Sequence, residues 1–113
     1  LRIVARRVVS LIDSGSLTDE AAEALSSWFD EAADAVQILN RCFDEPTPAG
    51  RRQGRLDARE ALGAAASRLH PTHLGGGSLH GEALVMLLRP MMVDLLEATG
   101  ADHEEAVGYL PGV

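Results

Sequence analysis

The chain has 113 residues, 46% of them hydrophobic and only 4% aromatic; this is enough for one domain, excludes a disordered chain, and leaves the core to aliphatic and alanine side chains. The formal net charge is −7 and every one of the ten basic residues is arginine, which excludes a general nucleic-acid binder and disfavours nonspecific docking on an anionic membrane. The longest apolar run, residues 83–88, is far short of the roughly 20 residues that cross a bilayer.

Residues 1–13 place Leu1, Val4, Val8, Leu11 and Ile12 on one face at helical spacing, with Arg2, Arg6 and Arg7 on the others. Gly15 ends this first helix. A second helix starts from Ser16 or Thr18, with Asp19, Glu20 and Glu23 where the helix dipole favours acids. Its apolar stripe runs Leu25, Trp28, Ala32, Ala35, Leu39, Cys42, in steps of three and four, flanked by Phe29, Val36 and Phe43. Cys42 is the single cysteine; it cannot form an internal disulfide, and its place in the stripe predicts a buried packing thiol.

Residues 44–54 read as a loop, because Pro46 and Pro48 interrupt a helix and Gly50 and Gly54 loosen the chain. The third helix is predicted over residues 55–69, with Ala58, Leu62, Ala65 and Leu69 as a narrow apolar stripe and Pro71 as the stop. Residues 70–77 form a second loop, and Ser78 is positioned to cap a fourth helix over residues 79–99. That helix carries Leu84, Leu88, Met91, Leu95 and Ala98 on one stripe, with Leu87, Met92 and Val93 beside it. It is apolar over more than half its girth and is therefore expected to be the central, most buried helix. Pro90 leaves two alternatives, one kinked helix or two shorter ones. Asp102, with Glu105 three positions on, caps a last short helix closed by Pro111. The whole reads as one all-α domain over residues 1–113, an antiparallel bundle of four main helices plus a short C-terminal helix.

Little in the sequence carries chemistry. His70, His73 and His80 fall close together around a glycine-rich loop, and imidazoles are good zinc or copper ligands. The spacing matches no established metal site and no cysteine completes a ligand set; a His70 that caps a helix end beside solvated His73 and His80 accounts for the same residues. Asp102, His103, Glu104 and Glu105 are what the first turn of a helix favours electrostatically. Gly76-Gly77-Ser78 lacks the flanks of a nucleophile elbow, and a phosphate loop would need a lysine. No catalytic residue and no cofactor is expected, and the chain is not read as an enzyme. Arg51, Arg52, Arg55 and Arg59 form a basic run that either holds an anion or partner, or complements the acidic second helix lying antiparallel to it. Arg89 and Asp94 interrupt the apolar fourth helix, and either line a ligand cavity, edge its buried face, or pair with charges on a neighbouring helix.

The pattern Arg89-x-x-x-Val93-Asp94-Leu95-Leu96-x-x-Thr99-Gly100, followed by Glu105-Ala106, resembles the C-terminus of actinobacterial FUSC-family membrane proteins, the fusaric-acid-resistance-like or aromatic acid exporter proteins. The resemblance covers about thirty residues and is only compositional before them. It implies a soluble helical domain on the cytoplasmic face of the bacterial inner membrane, joined to the membrane through a transmembrane region ahead of Leu1 and open to homo-oligomer formation. The basic opening segment is what a cut just after a membrane helix leaves, since cytoplasmic flanks are rich in arginine. The resemblance implies no catalytic residues. Its functional expectation is assembly or regulation. The alternative is a stand-alone helical ligand-binding or signalling domain that uses the histidine loop and the arginine run.

Overall fold

In a computed structural model of the chain, the described residues are 17–112 together with 6, 9, 10, 13 and 15. The face expected of the first helix, Leu1, Val4, Val8, Leu11 and Ile12, lies outside them; of that segment residues 6, 9, 10 and 13 are described, and they are helical. The described residues form an all-α fold of five helices: α1 (Asp19–Cys42), α2 (Pro48–Ala66), α3 (Pro71–Leu74), α4 (Leu79–Ala98) and α5 (His103–Gly108). They contain no strand.

Thr18, of the two candidate caps, starts α1: its hydroxyl accepts from the Ala21 N–H at 3.1 Å, satisfying one of the first-turn donors that a helix leaves unpaired. The predicted stripe from Leu25 to Cys42 is buried throughout. Trp28 is fully buried, and its indole N–H donates to the Ala65 carbonyl at 2.9 Å. Phe29 meets the indole edge-on, with ring centroids 5.2 Å apart. Phe43, predicted to flank the stripe, is 65% exposed instead, because it falls at the helix C-cap, past the last buried turn.

α2 begins at Pro48, seven positions before the predicted start at Arg55. The first helical turn needs no N–H from its leading residue, so proline is tolerated there and its fixed φ suits the helix. Thr47 caps it, its hydroxyl accepting from Gly50 N at 3.0 Å. Gly54, read as a loosening residue, lies inside the helix for steric reasons. A Cβ there would sit 2.4 Å from the Cys42 Cβ. Cys42 against Gly54 at one end, and Trp28 against Ala65 toward the other, fix α1 and α2 as antiparallel neighbours.

Residues 70–77 are not all loop. Pro71–Leu74 make one helical turn, with proline again in the leading position. α4 resolves the alternatives at Pro90: it is a single continuous helix with Pro90 inside it. Its buried row is Gly81, Val85, Leu88, Met92 and Leu96, with Leu84 and Val93 beside it. The stripe predicted through Met91, Leu95 and Ala98 is rotated from this: Met91 and Leu95 are half-buried and Ala98 is exposed. The Arg59–Thr99 and Arg89–Leu69 contacts run α4 antiparallel to α2.

α2, not α4, is the helix the other two long helices share. Its buried residues are Ala58, Leu62, Gly63, Ala65 and Ala66, small enough for helices to approach it closely on two sides. Leu25, Trp28, Leu62, Leu69, Leu88, Met92 and Leu96 are fully buried around it. Each large apolar side chain so buried contributes roughly 1.5–3 kcal/mol.

Candidate functional site

The C-terminal pattern runs along α4 and ties it down at two places, through Arg89 at one and Thr99 at the other. Arg59 on α2 donates from Nε to the Thr99 hydroxyl at 3.1 Å and from its guanidinium to the Thr99 carbonyl at 3.0 Å. The Thr99 hydroxyl donates to the Leu96 carbonyl at 2.5 Å, and Thr99 is almost fully buried. These bonds satisfy carbonyls that the end of α4 leaves without helical partners. Gly100 then turns the chain at φ +94°, a left-handed conformation that glycine adopts without a side-chain penalty. On the far side of the turn Asp102 caps α5, accepting from Glu105 N at 2.8 Å. The Glu105 carboxylate reaches the same Arg59 at 3.5 Å.

Arg89 is half-buried. It donates to the Leu69 carbonyl at 2.6 Å and to the Pro111 carbonyl at 2.7 Å, tying the end of α2 to the C-terminal residues. Val93, Leu96 and Ala106 are buried in the core. Only Asp94 stands apart: it is exposed, with no hydrogen bond or ion pair among the described residues.

The arginine run does not gather into one anion site. Arg51, Arg55 and Arg59 share a side of α2 but span about two turns, roughly 12 Å. Arg51 donates to the Glu45 carbonyl at 2.9 Å and Arg59 is held by Thr99; Arg52 is exposed. Among the described residues the acidic and basic helices are bridged by one ion pair, Arg68 to Glu31.

The histidines divide. His70 caps a helix start, not an end: its Nδ1 accepts from the Thr72 N–H at 3.3 Å, at the head of α3. Its ring stacks on His73, centroids 4.4 Å apart. His80 is exposed in the first turn of α4. Among the described residues no three His, Cys, Asp or Glu side chains are placed to hold a metal ion. Cys42 is buried at the foot of a shallow hollow of about 310 Å³ between α1 and α2, lined by Ile38, Arg41, Gln53 and Asp57.

The feature with no structural explanation is the outer face of α4. Leu79 is 80% exposed, Leu87 66% and Met86 47%, and Ala83 between them and Pro90 beyond them are exposed too. Their spacing puts them on one side of the helix, opposite the buried row. The strip is flanked at its two ends by His80 and Asp94, both exposed. The sequence carried the signal for it: α4 is apolar over more of its girth than a single core contact requires.

Comparison with protein families, with curated proteins and with solved structures finds no match to this chain.

Proposed function

We propose that this chain is the helical C-terminal domain of an exporter-like integral membrane protein of the fusaric-acid-resistance type. In this reading it lies on the cytoplasmic face of the bacterial inner membrane and brings subunits together, or regulates them, without carrying substrate. The observation that carries the assembly role is the apolar strip on α4. Contiguous apolar surface on a small domain marks an interaction face more often than idle surface. The likeness of the C-terminal pattern supports the membrane-protein origin, and the roles of Arg89, Thr99, Gly100 and Glu105 support treating that pattern as one folded unit. No helix among the described residues is long and apolar enough to cross a membrane, so any span belongs elsewhere in the protein.

Two measurements test this. The reading frame ahead of Leu1 should contain several apolar spans of about 20 residues, the last ending close to Leu1; a soluble upstream sequence removes the membrane-protein reading. The parent protein, extracted in mild detergent, should be an oligomer that Leu87→Asp weakens without reducing the amount inserted. An unaltered oligomer removes the assembly role.

A second reading, a ligand-binding or signalling domain, has the stacked His70–His73 pair in its favour. Zinc or copper should then raise the melting temperature by linkage, and a flat response across both metals removes it.

A further inference from the structure

We infer that the strip on α4 binds a second copy of this chain, the two α4 helices crossing antiparallel about a twofold axis at Leu87. This rests on the assembly reading above and names its partner and register. A twofold interface must be self-complementary, since one patch meets itself. In an antiparallel pair centred on Leu87, a residue a given number of positions before Leu87 faces one the same number after it. His80 and Asp94 each lie seven positions away, about 10 Å along the helix. Each therefore meets the other across the axis, twice per dimer. A neutral imidazole N–H can donate to the carboxylate, and an imidazolium pairs with it. Glu97, the next acid along, is already bonded to His103 at 2.7 Å, which leaves Asp94 as the acid open to His80.

The middle of the strip fits the same arrangement. Leu87 meets its own copy, and Ala83 faces half-buried Met91, a small side chain against a long flexible one. Charges sit only at the ends, as in an interface with an apolar centre and a polar rim. The strip is narrow. Stable dimers bury upwards of roughly 1,200 Å² in total, and one helix face supplies less, so the isolated domain is expected to pair weakly. Neighbouring domains held at one membrane would meet at effective concentrations on the order of millimolar, where a weak pairing is occupied.

The test is sedimentation equilibrium of the full 113-residue chain from about 10 µM to 1 mM, a range set by that weak pairing. Wild type should show a reversible monomer–dimer equilibrium. Leu87→Asp, at an exposed position outside the core, should weaken it by about tenfold or more. His80→Glu and Asp94→Lys alone should each weaken it by about two- to fivefold, and together should restore it to within about twofold. A dimer indifferent to Leu87→Asp overturns the strip as the interface and leaves assembly through another face. Loss with Leu87→Asp but no rescue by the double exchange overturns the antiparallel register. A monomer at every concentration overturns self-pairing altogether. In that case maleimide labelling of Leu87→Cys tells what covers the strip: a protected thiol places another part of this chain on it, and a reactive one reserves it for a different protein.

Discussion

Arg59 and Thr99 are joined twice, once through the threonine hydroxyl and once through its carbonyl, across 40 positions of sequence. One guanidinium thereby fastens the middle of α2 to the end of α4, and its remaining nitrogen reaches Glu105 at the start of α5. Replacing Arg59 with Met keeps the aliphatic stem and removes the donors. The end of α4 then has a buried hydroxyl and carbonyl with fewer partners. We expect a loss of about 1–3 kcal/mol, the range for leaving a buried polar group short of a partner. Urea unfolding followed by circular dichroism measures it, and a loss below about 0.5 kcal/mol would show that water replaces the guanidinium.

Gly54→Ala sets two effects against each other. Alanine favours a helix interior over glycine by about 1 kcal/mol. The added methyl, however, would stand 2.4 Å from the Cys42 Cβ and 3.2 Å from its Cα, atoms close to the backbone that cannot swing aside. Overpacking of that kind costs about 1–3 kcal/mol, so the variant should be less stable than wild type. A higher melting temperature would mean that α1 and α2 separate freely at this end.

Pro90→Ala should act in the opposite direction. Proline inside a helix removes one hydrogen bond and crowds the preceding turn, at about 3 kcal/mol or more. Pro90 is exposed on the outer face of α4, so its ring fills no place in the core. A gain of about 1–3 kcal/mol is expected, read as a raised melting temperature. A loss would show that Pro90 shapes the buried face.

Trp28→Phe removes a buried donor and part of a large side chain. The Ala65 carbonyl keeps a second partner, the Arg68 N–H at 3.2 Å, so it is not left bare. The expected loss is about 1–3 kcal/mol, from one hydrogen bond and a small cavity. Chemical denaturation should show it with an unchanged dependence on denaturant.

The α1 stripe was legible in the sequence because its six positions, Leu25 to Cys42, follow one period without interruption, and packing obeyed it. The start of α2 was not, because Pro48 is a breaker inside a helix and a good first residue, and only the cap at Thr47 separates the two cases. The rotation of the α4 face escaped for a different reason. When more than half of a helix is apolar, periodicity no longer selects the side that packs, and the partners decide. Here they are α2 and the two short helices α3 and α5. The arginine run was legible as a row along one helix, but the use of Arg59 by a threonine far along the chain was not. The pairing of Arg59 with Thr99 carries no local signal. The exposed strip did have one, in the surplus of apolar residues on α4.

Trp28 is the only tryptophan in the chain, and its burial against Ala65 gives the fold an intrinsic optical reporter. Its fluorescence belongs to one known place, so no labelling or deconvolution is required. A folded chain should emit at short wavelength, and the emission should shift to the red when α1 separates from α2. Circular dichroism follows every helix of the fold, α4 included, whereas the emission follows only the surroundings of Trp28. Comparing the two signals through one melting curve would therefore show whether the α1–α2 hairpin outlasts the rest of the domain.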